Sequence, residues 1–159
     1  MNPVKYAHLL LAVDFSPETE PVVARAAQLQ GECGARLSLL HVVEYLPMAY
    51  SGDLILPDDF DLEQQLLDVA KKQMQALGNR LQVSESDRHI GIGSIGPTIL
   101  RTAEEIGADL IIIGSHGHRG LAVLLGSTAR NVLNSAPCDV LAVRINPPGF
   151  RHSATLRPE

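Results

Sequence analysis

Apolar runs alternate with amphipathic stretches along almost the whole chain. "HLLLAV", His8 to Val13, is continuously apolar and is closed by Asp14-Phe15-Ser16-Pro17. A short run without alternation fits a strand covered on both faces. Ser16 can cap a helix with Pro17 at its first position. That helix should reach about Gly34, with Val22, Val23, Ala26, Leu29 and Cys33 on or near the buried side. "RLSLLHVV", Arg36 to Val43, predicts the second strand. The stretch from Glu44 to Asp59 has mixed polarity and two prolines, and its length makes it a flap or a functional insertion. Leu62, Leu66, Val69, Met74, Leu77 and Leu81 recur at near-helical spacing and predict a helix from about Asp59 to Leu81. "HIGIG", His89 to Gly93, predicts a third strand, and Ile99, Leu100, Ala103 and Ile106 face inward on a helix from about Pro97 to Ile106. "DLIIIG", Asp109 to Gly114, predicts a fourth strand. A helix from about Ser127 to Ser135 and a last strand, "DVLAVRI", Asp139 to Ile145, complete the series.

Five strands separated by four helical segments predict an α/β fold, with a parallel sheet and right-handed crossovers. In a doubly wound sheet, ligands sit outside the carboxyl ends of the strands, where the winding reverses. If the first and fourth strands are neighbours there, Asp14 and the loop after Gly114 face each other across one crevice. The expected organisation is one domain over residues 1–146 and a flexible tail over residues 147–159.

Composition narrows the function classes. The 159 residues carry a formal net charge of -5, with 45% hydrophobic and 19% charged side chains. This is a globular composition, and its acidity argues against a nucleic-acid or acidic-membrane surface. No apolar stretch approaches the length of a membrane span. The N-terminal apolar run is short, lacks a small-residue cleavage site and runs into Asp14, so it reads as a buried strand and not as a leader. Cys33 and Cys138 are too few for a disulfide framework and read as reduced thiols of a cytoplasmic protein.

Two glycine-rich loops compete for a ligand. "GIGSIG", Gly91 to Gly96, spells the dinucleotide fingerprint, but the next strand ends at Ile113-Gly114 without the acid that would hold a ribose. It reads as a turn. "GSHGHRGLAVLLGST", Gly114 to Thr128, is better placed. No carboxylate occurs from Gly114 through Pro137, whereas His116, His118, Arg119 and Arg130 do. The helix after Gly126 offers free backbone N–H groups and the positive end of its dipole, and glycines let a backbone approach phosphate. The lysine of a Walker loop is missing, so this is not the usual P-loop. Neither cysteine has an evident histidine partner, His116 and His118 lack an acidic or thiolate co-ligand, and no general base stands out. No catalytic residue and no protein-held metal are therefore assigned. Asp14 stands open between capping the first helix and holding a ribose.

"LLLAVDFSPET", "LLHVVE", "ADLIIIGSHG" and "LLGSTARNVLNSAPCDVLAVR" together resemble the universal stress protein family over nearly the whole chain. The resemblance implies a Rossmann-like five-stranded parallel sheet of order 3-2-1-4-5 and a homodimer formed through the last strand. One branch of the family binds ATP, accompanied by Mg²⁺ or Mn²⁺, through the pattern G-x2-G-x9-G-[ST]; a second branch lacks the pattern. Here Gly114, Gly117, Gly126 and Ser127 fit in kind, but eight residues separate Gly117 from Gly126, one short of the pattern. Carried over residue by residue, the resemblance places Asp14 near the ribose, Ala12 and Val13 beside the base, and the Val42 backbone at adenine. Gly114, His116, Gly117, Gly126, Ser127 and Thr128 would surround the phosphates. Two functions follow: a stress-response module that binds ATP, or a dimeric interaction scaffold of the same fold that binds no nucleotide.

Overall fold

The five apolar runs pair into one parallel sheet of order β3-β2-β1-β4-β5 in the computed structural model, which describes residues 5–44, 58–115 and 127–145. Most of the loop between Glu44 and Asp59, the residues His116, Gly117 and Gly126, and the tail lie outside the described residues. The strands are β1 (His8–Ala12), β2 (Arg36–Val43), β3 (Arg88–Ile92), β4 (Leu110–Gly114) and β5 (Asp139–Val143). The helices are α1 (Glu20–Cys33), α2 (Asp58–Arg80), α3 (Ile95–Ile106) and α4 (Ser127–Ser135).

Side chains on successive strand residues leave the sheet on opposite faces, so each central strand feeds two cores. Leu9, Leu11, Leu37, Leu39, Leu110 and Ile112 pack under α1 and α2, against Val22, Val23, Ala26, Met74 and Leu77. Leu10, Leu40, Val42, Ile111 and Ile113 pack under α3 and α4, against Ile99, Ala103, Ala129 and Val132. Burial on both faces explains why β1 and β4 carry no polar alternation. The winding changes face between the β1–β2–β3 half and the β4–β5 half, so the reversal falls between the neighbours β1 and β4.

Local chemistry sets the ends of the elements. Gly34 and Gly107 close α1 and α3 in the left-handed conformation, at φ 63° and 68°. Ser16 precedes Pro17, but its side chain makes no capping bond, and Pro17–Thr19 form a 3-10 turn before α1 begins at Glu20. In the fingerprint loop Gly91 is a packing residue: a Cβ there would stand 2.5 Å from Thr98 Cγ2 on α3. Among the described residues no helix is long and apolar enough to cross a membrane.

A buried polar chain ties β1 to β2 at the amino end of the sheet. His8 Nε2 lies 2.8 Å from Ser38 Oγ, Ser38 reaches Asp87 Oδ1 at 3.4 Å, and Arg36 Nε donates to both Asp87 oxygens at 3.0 Å. Serine, histidine and aspartate meet here in the wrong order for a nucleophile. The aspartate orients the serine and not the histidine, and Ser38 is fully buried. Burial and then the Arg36 charge hold the His8 ring below the ordinary histidine range. The hydrogen bonds from Arg36 hold the Asp87 carboxyl below its ordinary range. On acidification the unfolded chain therefore takes up a proton at the ordinary histidine value, 6.5, before folded His8 does. Stability should fall as pH drops through that range and fall again in strong acid, where Asp87 protonates. Denaturant titrations at neutral and mildly acidic pH check this, and His8→Gln should flatten the first limb. Equal stability of wild type across that range would contradict it.

Candidate functional site

Beyond the carboxyl ends of β1 and β4 the chain must leave the sheet in opposite directions, which opens a cleft between them. Its volume is about 170 Å³. Ala12 and Asp14 line it from the end of β1, Ile113, Gly114 and Ser115 from β4, and Ser127, Thr128 and Ala129 from the start of α4. Ile95 and Ile99 of α3, Thr19 and Val22 near the start of α1, and Ile145 complete the wall. A cavity holds a water from about 10–15 Å³ on this measure, so this space takes several waters or a small polar group, with the rest of a larger ligand lying outside it.

The cleft is apolar along its floor and polar at two ends. At one end stands Asp14, the only ionisable side chain among the described residues that line it. Its Oδ1 accepts from the Ser16 backbone N–H at 3.0 Å and from the Thr19 hydroxyl at 2.6 Å. Among the described residues Oδ2 takes no hydrogen bond. Burial pushes the Asp14 carboxyl up, but the Thr19 hydroxyl and the Ser16 groups outweigh it and hold it below the ordinary carboxylate range. At the other end is the amino terminus of α4, with the Ser127 and Thr128 hydroxyls, the first-turn N–H groups that have no partner within the helix, and the positive end of the helix dipole. Gly114 sits between them. A Cβ there would lie 2.7 Å from Ile145 Cδ1, so any larger residue would require the Ile145 side chain to move.

The structure thus brings Ala12, Asp14, Gly114, Ser127 and Thr128 into one cleft. Val13 and Val42 are buried, 6% and 8% exposed, and do not line it. The Val13 N–H is bonded to Leu40 O, and the Val13 carbonyl lies 2.8 Å from His41 Nδ1. His116, Gly117 and Gly126 lie outside the described residues. Sequence reasoning missed Thr19 and Ser115. The signal for Ser115 was its place next to Gly114 at the end of β4. For Thr19 the sequence shows only a hydroxyl just before Glu20-Pro21 at the start of α1, which reads as a helix cap.

The turn after β1 carries strain. Phe15 adopts φ 55°, in the left-handed region that a bulky side chain disfavours. Its ring packs against His41 with centroids 4.6 Å apart. Backbone held in such a state marks a turn over-determined by its surroundings, as functional turns often are.

Comparison with known proteins agrees with this geometry. Residues 5–144 match the universal stress protein family. Universal stress protein A homolog 1 of Coxiella burnetii is 39% identical over 138 residues, covering 87% of this chain and 96% of that protein. Universal stress protein UspA from Lactobacillus plantarum superposes with a TM-score of 0.75 at 25% identity, covering 89% of this chain and 99% of that one. A universal stress protein solved in complex with cAMP superposes with a TM-score of 0.57 at 22% identity, covering 90% of this chain and 100% of that one. The order of the sheet, the cleft between β1 and β4 and the match across nearly all of the sequence have one reading: this chain belongs to the universal stress protein family.

Proposed function

We propose that this stress-response protein binds ATP in the cleft between β1 and β4 and acts as a nucleotide-dependent module of the cytoplasm. One observation carries the reading. A single ionised carboxylate with an open oxygen faces a carboxylate-free helix terminus across a glycine. Sugar hydroxyls are donors and suit Asp14; phosphates are acceptors and suit the N–H and O–H groups at Ser127 and Thr128. The cAMP is held by that solved relative. At 22% identity it carries the fold, and the reading rests on this chain's own cleft. His116, Gly117 and Gly126 join the phosphate end by family resemblance. Val13 and Val42 are proposed for the base on the same ground. Mg²⁺ or Mn²⁺ would accompany the phosphates and offset their charge; no protein ligand is assigned to it, since Asp14, the one carboxylate of the described cleft, is proposed for the sugar.

The second reading, a scaffold that binds no nucleotide, is favoured by one feature: the spacing of eight residues between Gly117 and Gly126. In both readings the protein is a homodimer through β5. That strand is a sheet edge, and Val140, Leu141, Ala142 and Val143 are all only half-buried. The domain is taken as residues 1–146, with 147–159 as its tail.

Thermal unfolding with ATP and with GTP, each with Mg²⁺, separates the readings. A ligand that binds only the folded state adds roughly 2.7 kcal/mol of stability at a hundred times its Kd, and so raises the midpoint. ATP should raise it more than GTP. No shift with either nucleotide favours the scaffold.

A further inference from the structure

We infer that Thr19 is a positioning residue for the ligand: it fixes the Asp14 carboxylate so that Oδ2 is presented to the sugar hydroxyls. The inference rests on the nucleotide reading above and names what orients the sugar end of that site. Its basis is a hydroxyl found in an unexpected role. Thr19 occupies the cap position of α1, where a threonine oxygen ordinarily accepts from an N–H of the first turn. It makes no such bond. Its hydroxyl instead donates to Asp14 Oδ1 at 2.6 Å, across the 3-10 turn. The Ser16 N–H reaches the same oxygen at 3.0 Å.

Two donors on one oxygen stop the carboxylate from rotating and leave the other oxygen as its open acceptor. Both residues line the cleft, so this restraint acts on its wall. A short O–H···O⁻ bond is charge-assisted, and with Ser16 it keeps the carboxyl ionised despite burial. An ionised oxygen accepts from a vicinal diol and repels phosphate. The restraint therefore also sets the ligand's direction, with the sugar at Asp14 and the phosphates at Ser127. A freely rotating carboxylate would lose that orientation, and orientation is where much of a polar contact's value lies.

The test compares wild type, Thr19→Val and Thr19→Ser by calorimetry with ATP and with 2′,3′-dideoxy-ATP, which lacks both sugar hydroxyls. The Asp14 carboxyl is titrated in parallel by carbon-13 NMR. Thr19→Val removes the donor at nearly constant shape and sacrifices no cap bond. It should bind ATP about tenfold more weakly, bind the dideoxy compound as wild type does, and show a raised Asp14 titration. Thr19→Ser should restore all three results. The inference is overturned if Thr19→Val binds ATP normally, or if it loses ATP and the dideoxy compound equally. It is also overturned if Thr19→Val and a further variant, Thr19→Ala, both fail to fold, since Thr19 would then be structural. Failure of wild type to bind ATP overturns the nucleotide reading itself, which is a different result from a normal wild type beside a normal Thr19→Val.

Discussion

Replacing Ser127 by Asp is expected to abolish ATP binding and leave the protein folded. Ser127 is the first residue of α4, is exposed, and lines the cleft. A carboxylate in the first turn of a helix is stabilising by roughly 0.3–1 kcal/mol, because it meets the positive end of the dipole. The fold should therefore hold or gain slightly. The same charge would stand among the phosphates. Two unit charges about 4 Å apart repel by about 4 kcal/mol at an effective dielectric constant near 20, or roughly a thousandfold in affinity. Adenosine carries no phosphate and should lose much less. Calorimetry with ATP and adenosine, together with a melting curve, checks this prediction. Normal ATP binding at an unchanged melting temperature would show that the α4 terminus does not hold phosphate.

Ala142→Pro is expected to convert the proposed homodimer to a folded monomer. Reading "DVLAVRI" alone does not say which of its backbone groups face outward. The Ser115 N–H donates to the Val143 carbonyl at 2.8 Å, so the Val143 backbone is turned inward to β4. In a parallel ladder a residue points its N–H and C=O to the same neighbour, and successive residues alternate. Ala142 and Val140 therefore turn theirs to the open edge. Proline is tolerated where a strand N–H faces solvent, and it denies a partner strand that donor. Val143→Pro, in contrast, should damage the β4–β5 ladder itself. Light scattering and circular dichroism distinguish the outcomes. A dimeric Ala142→Pro protein, or a wild type that is monomeric at working concentration, would contradict pairing through β5.

The elements most legible in the sequence are those whose physics is local. β1, β2 and β4 announce themselves as apolar runs because both faces are covered, and Arg36–Val43 has the bounds its pattern predicts. Boundaries move where tertiary contacts decide them. β3 begins at Arg88, one residue early, because Arg88 pairs with Leu39. α3 begins at Ile95, before Pro97, since proline is compatible with a first helical turn. β5 stops at Val143, two residues before Ile145, whose side chain turns in over Gly114. The order of the strands came from family resemblance, as periodicity carries no information about which strands are neighbours.

The site divides in the same way. Asp14, Gly114, Ser127 and Thr128 were legible because their residue types and their places at element ends both point to a ligand. Asp14 was open between cap and ligand, and the geometry gives it both capacities: Oδ1 organises the turn, and Oδ2 is open. Thr19 was not legible, because pattern reasoning assigns a hydroxyl at a helix start to that helix. Its diversion to Asp14 is a three-dimensional fact.

The most direct test of the account is equilibrium dialysis of the purified protein against radiolabelled ATP with Mg²⁺, with Ser127→Asp in a parallel cell. The account predicts saturable retention approaching one ATP per chain for wild type, displaced by unlabelled ATP, and none above buffer for the variant. Equal ATP on both sides of the membrane for wild type, at protein and ATP concentrations in the millimolar range, would contradict it.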